Sequence, residues 1–396
     1  MKNIPYCQAA SVAPRLLTAG TLAIFFFLSL AWAAPANKSS KAPNATGVIV
    51  STKFGGQILG YDIDRTGTQG VLSEFVAQFG GSNSVVATET FDQASGKILK
   101  VVAKKTNTND GYDTYGIVGN HVGLILSQHQ VSLFHVVNHF RTMNPLTGDK
   151  FTGVWTPPIP KGSSLNGVSH NQGTDNIAVI EAPFAGIPSV FSSNVTANTS
   201  GPAISLASIF NNGQFLFPSL AYDSNTNQAV LSSSIGCRTC TPGIATVDLT
   251  TGKIDEFAGL GLGYTNGLAV DPSTGIACTT TEIDFSVEFY NLKKHTGIIE
   301  TLPGATGQLQ SGGDVQFDPI HHLFLVHQYS STGNFNDPQP HIYVYDEQGN
   351  LKNTVTGLLR TSIQPYVAIN PAKRIGYVDT VGGVEFTVTK IQQFKY

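Results

Sequence analysis

The sequence predicts an all-β chain closed into a β-propeller, most simply of seven four-stranded blades, with six or eight left open. Three observations predict it. The first is a repeat: an apolar residue, any residue, an apolar or aromatic residue and Asp or Asn, followed by a turn. It occurs at Val168-Ser169-His170-Asn171, Leu220-Ala221-Tyr222-Asp223, Leu268-Ala269-Val270-Asp271, Val315-Gln316-Phe317-Asp318 and Val367-Ala368-Ile369-Asn370, with starts 52, 48, 47 and 52 residues apart. A period of roughly 40–50 residues built from short strands is that of one propeller blade. The second is turn chemistry, as in Asp271-Pro272-Ser273-Thr274-Gly275, with Pro and Gly where a tight turn wants them. The third is composition: 12% of residues are charged and Gly is 41 of 396. Long surface helices carry Lys and Glu, and this chain has no stretch of that kind.

Residues 1–33 read as a secretory leader. Lys2 and Arg15 are basic, residues 16–30 are an apolar run, and Ala31-Trp32-Ala33 has a small-x-small cleavage pattern, so the cut is expected after Ala33. The apolar run of about 15 residues is short for a span of about 20. Residues 34–45 have the Lys/Ser/Pro/Asn composition of a flexible tether, and residues 46–396 are expected to form one propeller domain. A secreted or periplasmic location follows.

Within that domain Gly47 to Thr52, Gln57 to Ile63 and Val71 to Val76 read as second, third and fourth strands with no clear first strand before them. A weaker copy of the repeat ends at Phe91-Asp92 before Gln-Ala-Ser-Gly. The gap of 79 residues from Glu89 to Val168 holds a polar stretch, Lys104 to Asp113, then strands at Val122 to Gln128 and Val131 to His139. Blades follow at 218–258 and 266–302. The last blade is expected to finish inside the chain, with Gly383 to Val388 and Ile391 to Tyr396 as its outer strands.

Removing Lys2 and Arg15 from the 23 Lys and Arg leaves 21 basic against 26 acidic residues, a formal charge of −5. With no basic cluster, nucleic acid is excluded as the expected partner. The sequence has no Gly-x-Ser-x-Gly elbow, phosphate loop or His-Glu-x-x-His helix.

Antiparallel blade geometry puts the starts of first strands, the ends of second strands and the loops between second and third strands on one face of the disc. Asn166, Asn266 and Asp314 fall at first-strand starts, and Glu181, Glu282, His327 and Asp379 at second-strand ends. The second-to-third loops, at 182–188, 235–243 and 329–340, are also the long ones, and function grows on long loops of a rigid scaffold. The ligand-binding candidates are therefore Glu181, Glu282 and His327.

Leu165-Asn166-Gly167-Val168 and Thr265-Asn266-Gly267-Leu268-Ala269-Val270-Asp271 resemble inner-strand motifs of the SMP-30/gluconolactonase and NHL-type propellers. In the former family such Asn and Asp residues, with a Glu, hold a divalent metal in the central channel. The resemblance implies Asn166, Asn266 and Asp314 as metal ligands and Ca²⁺ or Mg²⁺ as the ion, which hard oxygen donors suit. Asp314 stands one residue off, where the motif has its Gly, and adjacent strand residues point to opposite sides. No Glu-Gly-Pro segment supplies the family's Glu. Asn residues that cap exposed strand ends are the alternative.

Cys7 leaves with the leader. Cys237-Arg238-Thr239-Cys240 has no second Cys-x-x-Cys to complete a zinc site, so in an oxidising compartment a local disulfide Cys237–Cys240 is expected. Cys278, in an apolar strand, reads as a small buried residue. The histidines at 129, 170, 321, 322, 327 and 341 are scattered and read as hydrogen-bonding or surface groups. Asn44-Ala45-Thr46, Asn194-Val195-Thr196 and Asn198-Thr199-Ser200 are glycosylation sequons.

Two functions follow. One is a monomeric binding module presenting its loops to a protein, carbohydrate or small-molecule ligand. The other is a metal-dependent lactonase or esterase, with the channel metal polarising a carbonyl and His327 or Asp379 as candidate base.

Overall fold

The computed structural model describes residues 44–76, 84–106, 110–118, 122–132, 135–147, 153–155, 163–170, 174–183, 187–209, 219–232, 243–258, 265–281, 286–303, 310–330, 341–359, 366–381 and 388–396. They form seven small antiparallel sheets, and helix among them is confined to a single 3₁₀ turn, Pro371–Lys373. The fold is a seven-bladed β-propeller.

Blade 7 contains the first strand among the described residues: β1 (Ala45–Ser51) is its outermost strand. Blade 1 is β2 (Gln57–Ile63), β3 (Gln69–Val76), β4 (Val85–Asp92) and β5 (Ile98–Thr106). Blade 2 is β6 (Asp110–Val118), β7 (Val122–Ser132), β8 (His135–Met143) and β9 (Gly153–Trp155). Blade 3 is β10 (Ser163–His170), β11 (Asn176–Pro183) and β12 (Ser189–Asn194), with the short β13 (Thr199–Ser200) and β14 (Ile204–Ser205) both pairing β12. Blade 4 is β15 (Ser219–Asp223), β16 (Gln228–Ser232), β17 (Gly243–Asp248) and β18 (Ile254–Ala258). Blade 5 is β19 (Thr265–Asp271), β20 (Ile276–Thr281), β21 (Ser286–Asn291) and β22 (Thr296–Thr301). Blade 6 is β23 (Gln310–Asp318), β24 (Leu323–Ser330), β25 (His341–Asp346) and β26 (Leu351–Val355). Blade 7 is completed by β27 (Val367–Asn370), β28 (Ile375–Val381) and β29 (Val388–Lys395).

Readings of the amino-terminal third and of the last blade are corrected by this order. Gly47 to Thr52 is not a second strand of its own blade: it pairs β29, with Val50 opposite Ile391, and so completes the carboxy-terminal blade. Gln57 to Ile63 is then an inner strand, and Phe91-Asp92 closes the third strand of blade 1 rather than a first strand. The last blade accordingly does not finish inside the carboxy-terminal sequence. The inner strand of blade 2 is β6, which begins inside the polar stretch Lys104 to Asp113.

The core is divided into seven apolar clusters, one between each pair of neighbouring blades. Between blades 4 and 5, for example, Ala221, Val230 and Ile244 meet Leu268, Val270, Ala277 and Tyr290. Between blades 7 and 1, Val50, Ala368, Tyr377 and Ile391 meet Ile58, Tyr61, Ile63, Leu72 and Phe91. A middle strand therefore buries both its faces, which is why Ala229, Val230 and Leu231 run without polar alternation. The closing seam also carries a buried polar network. The Gln393 side-chain amide donates to Gln93 O and to the Tyr377 hydroxyl, and the Asn370 amide donates to Asp64 O and Gln93 Oε1.

The repeated Asp or Asn has a local cause. Asp64, Asp223, Asp271, Asp318 and Asn370 each accept backbone N–H groups two or three residues on, closing the turn from first to second strand. Asp92, Asp248, Asn291 and Asp346 do the same for turns from third to fourth strand. Both sets lie on one face, the turn face. That identity of turn chemistry is what makes Phe91-Asp92 look like a first-strand repeat.

Candidate functional site

The opposite face carries the longer connections. Between second and third strands, ten residues separate β16 from β17 and ten separate β24 from β25, whereas four residues join β15 to β16, β19 to β20 and β23 to β24 on the turn face. Around the axis the first strands of successive blades pack side by side: β2 with β6, β6 with β10, and so on to β27 with β2. Each such strand is an edge strand toward the axis, with backbone N–H groups that no neighbour strand satisfies.

Asp314 meets that need. Its Oδ1 accepts the N–H of Val315 at 2.9 Å, and its Oδ2 accepts the N–H of Val367 on blade 7 at 2.9 Å and the Gln316 side-chain amide at 3.0 Å. Both carboxyl oxygens are thus engaged by amides. A β-bulge between Gly312 and Val315 turns the side chain into this position. Asp62 on blade 1 repeats the arrangement, taking the N–H of Ile63 at 2.8 Å and that of Ile117 on blade 2 at 2.7 Å. Nothing in the repeat pattern marks Asp62, and its role depends on the strand beside it.

Asn166 and Asn266 lie in first strands β10 and β19 as expected; their side chains are outside the described residues. The glycine after Asn266 has a packing role. A Cβ at Gly267 would stand 2.5 Å from Gly313 O and 2.6 Å from Val315 N, so only a glycine lets β19 approach β23 this closely. The hydroxyls of Thr279 and Thr280 then donate to Gly267 O at 2.7 Å and Gly313 O at 3.0 Å.

Glu181 is buried at the loop-face end of β11. Its Oε1 accepts the hydroxyl of Ser189, while Oε2 is buried without a hydrogen-bond partner among the described residues. Asp379 is also buried, and its Oδ1 accepts the N–H of Tyr366 at 2.9 Å. His327 is fully buried in β24, and burial, with the nearby His341, holds its imidazole down to about 3. At neutral pH it is uncharged and shielded from solvent. Glu282, Cys237 and Cys240 lie outside the described residues. Cys278 is a free buried thiol packed with Ala269, Val287 and Phe289, and burial with nearby Glu288 pushes its pKa up, in keeping with a packing role.

A second polar group sits nearer the turn face. His170 Nε2 on β10 lies 3.6 Å from Asp62 Oδ2, across Gly116, where a Cβ would run into the His170 ring. Burial and then the neighbouring Arg65 guanidinium hold His170 down to about 3. The Arg65 guanidinium is itself held below its ordinary value by burial, which its neighbours Asp62, Tyr366, Tyr396 and Asp318 oppose. The Tyr396 hydroxyl donates to Asp318 Oδ2 at 2.9 Å. Tyr396 is thereby tied to the turn-face end of β23.

The chain is similar in structure to U3-55K (TM-score 0.57, 10% identity, 89% of this chain and 100% of that one). It is also similar to the β-propeller domain of Cps50 (Swd1) from Myceliophteria thermophila (TM-score 0.55, 11% identity, 87% and 99%). No protein-family profile and no curated protein sequence matches, the SMP-30/gluconolactonase and NHL families included. At these identities the likeness establishes the seven-bladed propeller fold.

Proposed function

We propose that this chain is a secreted binding module that takes a protein, carbohydrate or small-molecule ligand on its loop face. The observation that carries the reading is the asymmetry of the disc. On the turn face, short turns satisfy their own backbone through Asp and Asn side chains. On the loop face the connections are longer, and Glu181 keeps a buried carboxyl oxygen without a partner among the described residues. A buried acceptor left open costs about 1–3 kcal/mol, a cost that a ligand donor or an ordered water would remove.

The metal-dependent hydrolase reading would have Asp314 ligate an ion with a carboxyl that already accepts three N–H groups; the binding-module reading makes no such demand. Residues 1–33 have the leader pattern that supports export, and amino-terminal sequencing of the exported protein should begin at Ala34.

The test is a screen of the protein lacking residues 1–33 on glycan and peptide arrays, beside a Glu181→Arg variant and a Ser273→Arg variant on the turn face. Binding lost in Glu181→Arg and kept in Ser273→Arg supports the reading. The reverse pattern overturns it. Hydrolysis of δ-gluconolactone that depends on added Ca²⁺ and disappears in Asp314→Asn would favour the hydrolase instead.

A further inference from the structure

On the turn face, at the seam between blades 5 and 6, three donor groups from three separate turns meet. Asp271 ends β19, His322 closes the turn from β23 to β24, and Glu347 opens the turn from β25 to β26. His322 Nδ1 lies 3.1 Å from Asp271 Oδ2 and 3.1 Å from Glu347 Oε1. One donor atom of each residue falls within 4.8 Å of the others, and among the described residues this is the one group of three such side chains that does so.

The parts are arranged as ligands would be. Asp271 Oδ1 is already committed to the Ser273 N–H at 2.8 Å and hydroxyl at 2.7 Å, so the carboxyl is fixed in place with Oδ2 aimed at the cluster. Its side chain is 1% exposed, whereas that of His322 is 51% exposed, giving the site a rigid floor and a solvent-facing rim. Two carboxyl groups in contact are relieved by a proton or by positive charge between them, and a bound ion would supply that charge. The neighbouring Asp318–His321 pair, at 2.8 Å, lacks the second carboxylate and shares its Oδ2 with the Tyr396 hydroxyl, so its donor set is incomplete.

We propose that Asp271, His322 and Glu347 bind one zinc-class divalent cation. Donors at 2.0–2.2 Å around one tetrahedral ion stand roughly 3.3–3.6 Å apart, so the 3.1 Å separations from His322 Nδ1 to each carboxyl have to open by only a few tenths of an ångström. One imidazole nitrogen and two carboxylate oxygens suit a borderline ion such as Zn²⁺, whereas Ca²⁺ wants six to eight oxygens. Two carboxylates and a neutral imidazole also balance a 2+ charge. The fourth position opens to solvent and takes water. The ion joins blade 5 to blade 6 through side chains alone, on the face opposite the proposed ligand surface, and is independent of that proposal.

The experiment uses the untagged chain lacking residues 1–33. Calorimetric titration should give one saturable Zn²⁺ site that equimolar Ca²⁺ does not displace. His322→Asn, chosen because Asn tolerates the positive φ of 54° at this position, and Glu347→Gln should each weaken Zn²⁺ by at least about tenfold. The cobalt-loaded protein should show no thiolate charge-transfer band, which ligation by Cys237 and Cys240 would produce. In the unaltered chain Zn²⁺ should protect His322 from diethylpyrocarbonate, a readout that does not depend on either variant folding. Absence of saturable binding, equal affinity in both folded variants, a thiolate band, or unchanged His322 labelling would each overturn the proposal.

Discussion

Asp314 on blade 6 and Val367 on blade 7 are joined side chain to backbone, Oδ2 accepting the N–H at 2.9 Å, and this bond spans the junction between two first strands. Asp62 and Ile117 form the same kind of link between blades 1 and 2 at 2.7 Å. Propeller inner strands have no partner strand on their axial side, so their N–H groups need acceptors from elsewhere. A carboxyl on the preceding blade supplies one and ties the blades together as it does so.

Asp314→Ala should therefore reduce stability. It leaves the Val315 and Val367 N–H groups without their acceptor, at a cost of about 1–3 kcal/mol, while Asp314→Asn, which keeps one acceptor oxygen, should lose less. Denaturant titration of both variants checks this. Equal stability of wild type and Asp314→Ala would show that the link contributes nothing.

Gly267→Ala should also destabilise, by about 1–3 kcal/mol. Its new methyl group meets backbone atoms of Gly313 and Val315 rather than a side chain that can swing away. Thermal unfolding compared with that of Asn266→Ala separates close packing from any role of the asparagine: only the glycine change should open the seam between blades 5 and 6.

Stability should fall as pH rises, because of Glu89. Glu89 and Glu74 are both buried in blade 1, where Glu89 Oε2 accepts the N–H of Lys53 and Glu74 accepts those of Phe54 and Gly56. Burial, then the neighbouring Glu74, raises Glu89 from the ordinary 4.5 to about 8. An acid whose pKa is raised holds its proton more tightly in the folded chain than in the unfolded one. Its contribution is complete below about 4.5 and is lost as pH climbs toward about 8. The Tm of the wild type should drop between those values, and Glu89→Gln should remove most of that drop. Parallel curves for the two proteins would assign the fall to other groups.

Deleting residues 44–51 should destabilise the whole ring rather than trim a tail. Without β1, β29 becomes an exposed edge, Val50 leaves the seam between blades 7 and 1, and the bond from the Thr46 hydroxyl to Gln393 Oε1 at 2.7 Å disappears. Exposed strand edges invite association. Size-exclusion chromatography should show oligomers, and Tm should fall; an unchanged monomer with unchanged Tm would mean that closure does not depend on this strand.

Sequence by itself determined the repeated parts of this protein. The spacing of Leu220, Leu268, Val315 and Val367, and the Asp or Asn three residues after each, specify blades 4 to 7, because apolar burial between blades and side-chain closure of turns are short-range requirements visible within a few residues. Strand limits such as Gly243–Asp248 and Ile276–Thr281 follow from the same local rules. Only the tertiary structure decided what depends on neighbours distant in the chain. The same turn chemistry closes first-to-second and third-to-fourth turns, so Asp92 could not be told from Asp64 without the pairing of β3 with β4. β1 joins blade 7 because closing the ring buries Val50 against Ile391 and Tyr377, more than 320 residues away. Asp314 faces Val367, and His322 faces Asp271 and Glu347, because radial packing brings neighbouring blades to hydrogen-bonding distance, and that proximity has no periodic trace along the chain.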